Sequence, residues 1–242
     1  MFGTNKRYKK GFVEAPNLVV NSVFATIQGE GIYAGVPAIF IRMAHCNLAC
    51  TFCDTEFETG EKVTPQYLLK WVNLVAESNA IKYQVLVITG GEPLLQDMSE
   101  FLTIFHAAHP GVQVQIETAG TVWHENLYEP CVMGWVDIIC SPKTFIINKD
   151  LTPHVNAYKY IVREGWVSDD DGLPDQPTQP GLTKRVKVAR PPSNFGGTVY
   201  VQPVDEQDAE QNQKNLKFAA DIAMKHGYSL SVQIHKLIPG LE

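Results

Sequence analysis

Three cysteines within eight residues, Cys46, Cys50 and Cys53, form the densest group of metal-binding side chains in the sequence. Soft thiolates at C-x3-C-x2-C spacing in one loop can converge on a metal centre without help from distant chain. Three ligands are one short of a closed tetrahedral site. Either a fourth residue, for which His45 is the local candidate, completes a structural zinc site, or a 4Fe-4S cluster keeps one iron open for a small molecule. His45 directly precedes Cys46, an awkward arrangement for sharing one ion. The loop is polar (Asn47, Thr51, Asp54), which packing alone does not explain. Cys131 and Cys140 lie singly in apolar contexts and read as core thiols.

Other residues have the chemistry of a binding site. Thr89-Gly90-Gly91-Glu92-Pro93 follows an apolar run, and consecutive glycines let a backbone come close to a ligand. Arg42, at the end of a strand entering the cysteine loop, offers a fixed fork of donors suited to a carboxylate. Thr55, directly after Asp54, supplies a neutral side-chain oxygen and by itself reads as a turn residue. Gln28 and Gly29 offer amide and backbone hydrogen-bonding groups, and such residues also simply make turns. Glu117 ends a strand and either contacts a ligand or pairs with a buried base; Lys143 divides the same way between ligand and structure.

The elements that must position these groups alternate between β-branched runs and helical-period segments, which predicts an α/β fold with a largely parallel sheet. Val36–Met43 reads as the first clear strand, followed by Gln84–Thr89, Val112–Glu117, Trp135–Cys140, Ala157–Val162, Thr198–Gln202 and Leu230–His235. Helices are expected after the N-cap Thr64 with Pro65 in its first turn, over Gln96–Ala108, and over Gln207–Lys225 closed by Gly227. Residues 164–197, with an acidic run at Ser168–Gly172, many prolines and a basic group at Lys184–Arg190, read as a long irregular insertion. A solvated loop is the simpler reading of it, and a lid or partner surface is the functional one.

The chain has 242 residues, 45% of them hydrophobic, which excludes general disorder and fits one domain over 1–242. With 20 Lys+Arg against 26 Asp+Glu the net charge is −6, so no positive field for nucleic acid is expected. No apolar run approaches a membrane span or signal segment, and the odd, clustered cysteines do not form a secreted disulfide framework; the expectation is a cytoplasmic protein.

With Phe52 before its last cysteine, C-x3-C-x2-C resembles the cluster loop of the radical S-adenosylmethionine (SAM) enzymes, and Gly90–Pro93 looks like the turn that holds SAM's amino group in them. Ile27-Gln28-Gly29-Glu30-Gly31, Gly35–Arg42 and Cys53-Asp54-Thr55 together resemble the 7-carboxy-7-deazaguanine synthases, nearly continuously over Phe24–Thr55. Further blocks agree in order at Thr89–Pro93, Glu117–Thr121, Ser141–Lys143 and Gln202–Asp205. The resemblance implies an α/β, partial or modified (β/α) barrel of the radical SAM type. It also implies radical ring contraction of 6-carboxy-5,6,7,8-tetrahydropterin to 7-carboxy-7-deazaguanine with loss of ammonia, a step of queuosine and 7-deazapurine biosynthesis, requiring a 4Fe-4S cluster, SAM and magnesium (Mg2+).

Carried over residue by residue, the resemblance assigns Cys46, Cys50 and Cys53 to the cluster. It assigns Ile27, Gln28, Gly29, Arg42 and Thr89 to the pterin, and Thr55 to magnesium. Phe52, Cys53, Asp54, Gly91, Ser141, Pro142, Lys143, Gln202, Pro203, Val204 and Asp205 would contact SAM, with Glu117 a further cofactor candidate. An electron donor such as flavodoxin or ferredoxin and a homodimer are implied too. The departures are an N-terminal extension over residues 1–18 and the 164–197 insertion. Two rival readings share parts of the pattern: a radical SAM activase that places a glycyl radical on a partner protein, and a zinc-stabilised binding module without catalysis.

Overall fold

Alternation along the strands sorts their side chains onto two faces of different chemistry. In Pro37–Met43, Ile39, Ile41 and Met43 are fully buried, while Phe40 and Arg42 face a cavity. In Val155–Val162, Tyr158 and Tyr160 enter the core, while Lys159 and Ile161 line the same cavity. An open, curved sheet follows, with an apolar convex face under helices and a polar concave face.

The computed structural model describes residues 5–13, 17–176, 178–180 and 185–241. Its strands are β1 (Leu18–Ile27), β2 (Pro37–Met43), β3 (Glu61–Val63), β4 (Val85–Gly90), β5 (Gln113–Thr118), β6 (Val136–Cys140), β7 (Val155–Val162), β8 (Thr198–Pro203) and β9 (Ser229–Leu230). The sheet runs β3-β1-β2-β4-β5-β6-β7-β8-β9. From β2 to β9 all neighbours are parallel, whereas β1 is antiparallel to both β2 and β3. The expected parallel, partial-barrel architecture is therefore present, with an antiparallel edge that periodicity did not reveal.

The helices are α1 (Pro65–Ser78), α2 (Ser99–Ala108), α3 (Tyr128–Val132) and α4 (Ala209–His226). Thr64 caps α1 by accepting from the Tyr67 N–H at 3.2 Å, and Gly227 ends α4 at φ 74°, as their residue types predict. Leu68 and Val72 of α1, Phe101, Leu102 and Phe105 of α2, and Ala219, Ile222 and Ala223 of α4 share one core with the convex strand residues.

Three sequence expectations are corrected. The helix expected from Gln96 begins at Ser99, because the buried Gln96 carboxamide is committed elsewhere: it accepts from the Val19 N–H and donates to the carbonyls of Val19 and Ala44. The last strand is only Ser229–Leu230, and Ile234–Leu237 forms a 3-10 turn. The described part of the 164–197 insertion packs against the fold where a solvated loop is the simpler expectation. Leu173 and Val188 enter the main core, Ser168, Asp175, Thr178 and Gln179 are buried, and Arg190 is spent on a two-pronged pair with Asp171 and on the carbonyls of Leu173, Pro174 and Val188. The expected lysine at 184 lies outside the described residues.

Candidate active site at the carboxyl ends of the parallel strands

A cavity of about 1110 Å³ opens where β2, β4, β5, β6, β7 and β8 end. This is the position at which a parallel sheet offers its loops to ligands. The cysteine loop leaves β2, and all three thiols line the cavity. Each sulfur has a nitrogen directed at it: the Leu48 N–H at 3.4 Å from Cys46 Sγ, Gln179 Nε2 at 3.2 Å from Cys50 Sγ, and Asn5 Nδ2 at 3.7 Å from Cys53 Sγ. Burial pushes the Cys46 and Cys53 thiols up, so a cationic centre is needed to hold them as thiolates.

The three sulfurs line one space, as the ligands of a cluster must. Among the described residues no three His, Cys, Asp or Glu side chains are arranged to hold one metal ion. In a cluster each thiolate binds a different iron, so the three need only face one space. His45, the proposed fourth zinc ligand, instead stacks on Tyr8 with ring centroids 4.5 Å apart, and its backbone takes the left-handed φ of 72°.

The Gly-Gly turn does its work against the cysteine loop. The Gly91 N–H donates to the Met43 carbonyl at 3.0 Å and the Glu92 N–H to the His45 carbonyl at 2.8 Å. A Cβ on Gly91 would lie 1.9 Å from the His45 oxygen, and one on Gly90 2.3 Å from the Met43 oxygen, so only glycine admits this approach. Glu92, fully buried, points the other way and accepts from Thr118 Oγ1, the Ala119 N–H and the Leu94 N–H, tying the turn to the end of β5.

On the cavity floor, Lys159 pairs with Glu30 and lies 3.9 Å from Glu117. Burial alone would raise the Glu30 carboxyl, but the Lys159 charge with hydrogen bonds from Lys159, Gln233 and Gln202 holds it well below the usual carboxylate range. Burial likewise opposes the Lys159 charge, yet Glu117 and Glu30 hold its ammonium above the ordinary lysine value. Glu117 accepts from Gln28 Nε2 at 3.1 Å and Thr89 Oγ1 at 3.2 Å beside the Lys159 ammonium. Gln202 donates to Glu30 at 3.0 Å and accepts from Ser231, placing its side chain in this floor. The Arg42 guanidinium lies 5.5 Å from the Phe24 ring centroid and, among the described residues, has no carboxylate pair.

At the rim, Phe52, Asp54 and Thr55 face Pro203, Val204 and Asp205 across the opening, with Ser141 and Lys143 also on its wall. Thr55 Oγ1 donates to Asp54 at 3.2 Å. Lys143 donates to the Ser141 carbonyl and hydroxyl, and burial lowers its pKa. Three predicted contacts do not line the cavity: Ile27, Gly29 and Pro142. Gly29 instead makes room for His235, since a Cβ there would meet its Nδ1 at 2.0 Å.

Sequence reasoning missed Glu30, Lys159, Gln233, His235 and Lys236 as cavity residues. Lys159 carried a readable signal, a charge inside the apolar run Ala157–Val162. Lys236, which bridges Asp205 at 2.5 Å and Asp54 at 3.4 Å, carried none, because its partners come from other loops.

This arrangement, three thiols beside a glycine turn at the mouth of a partial barrel, is that of a radical SAM enzyme, and residues 40–137 match the radical SAM superfamily. Over 98% of its length the chain is 36% identical to the 7-carboxy-7-deazaguanine synthase of Rhodospirillum rubrum, covering 99% of that protein. It is 37% identical to the 7-carboxy-7-deazaguanine synthase of Rickettsia prowazekii over 100% of this chain and 96% of the other. The chain belongs to the 7-carboxy-7-deazaguanine synthase family. Its fold matches the crystal structure of QueE from Escherichia coli, with a TM-score of 0.61 at 22% identity, over 90% of this chain and 94% of that one. End-to-end identity to synthases favours neither the activase nor the zinc-module reading. Among the described residues no helix is long and apolar enough to cross a membrane.

Proposed function

We propose that Cys46, Cys50 and Cys53 would hold a 4Fe-4S cluster that acts with SAM, and that the chain converts 6-carboxy-5,6,7,8-tetrahydropterin to 7-carboxy-7-deazaguanine and ammonia. The observation that carries this reading is the convergence of three free thiols, the Gly90-Gly91 turn and the Arg42 guanidinium on one cavity. When bound, the cluster and SAM supply a reductively generated radical that abstracts hydrogen from substrate. The protein's own part is to bind, orient and exclude water. Arg42 clamps the substrate carboxylate. Gln28, Thr89 and Glu117, already joined by hydrogen bonds, address the polar edge of the pterin ring. Lys159 keeps Glu30 ionised as a fixed acceptor.

Phe52, Asp54, Ser141, Lys143 and the Gln202–Asp205 segment are assigned to SAM, and Thr55 to magnesium shared with substrate oxygens. We further read the chain as one domain, as a homodimer, and as reduced by a one-electron carrier protein such as flavodoxin or ferredoxin. The test is anaerobic reconstitution followed by assay. About four irons per chain with absorption near ~400 nm, and conversion of the carboxytetrahydropterin without any partner polypeptide substrate, are expected. Cys46→Ala, Cys50→Ala and Cys53→Ala should each abolish SAM cleavage while Cys131→Ala does not. Full cleavage by Cys50→Ala overturns the assignment.

A further inference from the structure

The 164–197 insertion reaches the middle cysteine of the loop. The N–H groups on either side of Cys50 are both bound by it: Ala49 N donates to Gln179 Oε1 at 2.9 Å and Thr51 N to the Thr178 carbonyl at 2.9 Å. Gln179 is only 6% exposed, and its carboxamide oxygen also accepts from Arg7 Nη2 at 3.0 Å. A backbone N–H and a guanidinium can only donate, which fixes the amide orientation. The oxygen must face Ala49 and Arg7, and the NH2 group must therefore face Cys50 Sγ at 3.2 Å and Thr178 Oγ1 at 3.0 Å. The Thr178 hydroxyl is itself committed as a donor, to the Lys143 carbonyl, so it can only accept from Gln179. The N-terminal segment, through Arg7, and the 164–197 segment, through Gln179, thus meet at the carboxamide that donates to Cys50 Sγ.

We propose that Gln179 is a positioning residue for the iron-sulfur centre, whose N–H donated to Cys50 Sγ raises the reduction potential of the cluster. The inference rests on the reading of Cys50 as a cluster ligand. An N–H directed at a ligand sulfur stabilises the reduced, more negative state over the oxidised one, and such bonds are among the levers that set cluster potentials. The arrangement also explains why a glutamine is buried beside a thiol: every hydrogen-bonding direction of its amide is used.

Gln179→Met keeps side-chain length without the donor, and Gln179→Glu keeps shape while exchanging the donor for a carboxylate oxygen. Both are measured as anaerobically reconstituted holoenzyme by a redox titration followed by electron paramagnetic resonance. At the wild-type midpoint, Gln179→Met should show about a tenfold smaller reduced-to-oxidised ratio, equivalent to about 59 mV for one electron, with Gln179→Glu shifted further the same way. A purely structural role would change iron content or melting temperature and leave the midpoint where it was. Variants that load fully and titrate at the wild-type potential overturn the proposal, as does failure of both to retain a cluster, which would make Gln179 a structural tie only. Wild-type protein that holds no iron would instead bring down the underlying cluster assignment.

Discussion

The Lys159 ammonium lies between Glu30 and Glu117 and has little contact with water, so its removal leaves the buried Glu30 carboxylate without its counter-charge. Lys159→Met should cost about 3–5 kcal/mol of stability near neutral pH. The wild-type pair has a definite pH window. The Glu30 share is complete above the ordinary carboxylate value of about 4.3 and is lost as pH falls through its lowered value, while the Lys159 share is complete below about 10.4 and is lost as pH rises through its raised value. In Lys159→Met the orphaned Glu30 takes up a proton by burial, so the deficit should shrink from about pH 8 to about pH 5. Urea unfolding at both values checks this, and an equal deficit at each contradicts it. For Arg42, loss of the two-pronged fork in Arg42→Lys should weaken substrate binding by about 2–5 kcal/mol with iron content intact, read as a raised KM. Thr55→Ala should blunt magnesium activation after chelator treatment while Thr55→Ser retains it; superimposable activation curves would remove Thr55 from the metal site.

Turns and strands carry the next set of constraints, because they decide where these side chains can stand. The β4 turn and the cysteine loop touch backbone to backbone, so Gly91→Ala must push them apart or strain the turn, costing about 1–3 kcal/mol and impairing iron loading. Gly111→Ala is the matched control, since its Cβ would meet nothing within 4 Å and its backbone is not left-handed. Melting temperature and iron per chain compare the two, and equal values for both variants would refute the account of the turn. The strand alternation explains why polar chemistry stands inside an α/β core at all. Tyr158 and Tyr160 anchor β7 in the convex core while Lys159 between them is delivered to the cavity.

Across the molecule, an open sheet leaves a gap that the chain ends cover. The Ile234 N–H donates to the Gly29 carbonyl, Thr26 Oγ1 to the Leu241 carbonyl, and Gln233 to Glu30, so the carboxyl-terminal segment lies along β1 and completes the wall. Deleting residues 233–241 should lower pterin turnover at least about tenfold, the equivalent of one lost interaction of roughly 1.4 kcal/mol, with iron content retained. Turnover unchanged by the truncation would show that this wall is dispensable. At the opposite end, the Tyr8 N–H donates to the Cys46 carbonyl and Asn5 to the Thr55 carbonyl, so the extension runs along the outside of the cluster loop.

What the sequence determined on its own is what short-range physics controls. Cysteine spacing, the Gly-Gly turn, the Thr64 start of α1, the Gly227 end of α4 and the apolar strand runs from Val36 to Gln202 all depend on neighbours a few residues apart, and each is found within a residue or two of its expected place. The resemblance extended this reading to part of the cavity wall, from Gln28 and Arg42 to Gln202–Asp205. What only the tertiary structure decided is who partners the buried polar groups. Glu30 meets Lys159 across 129 residues and Gln233 across 203, and Cys50 meets Gln179 across 129. A buried polar atom requires a partner but does not say which, since any donor brought within about 3 Å satisfies it. The same reason shortened the last strand and ordered the insertion. Residues 233–236 left the sheet edge to supply Gln233, His235 and Lys236 to the cavity, and residues 178–179 folded inward onto N–H groups beside Cys50 that local sequence leaves unmatched.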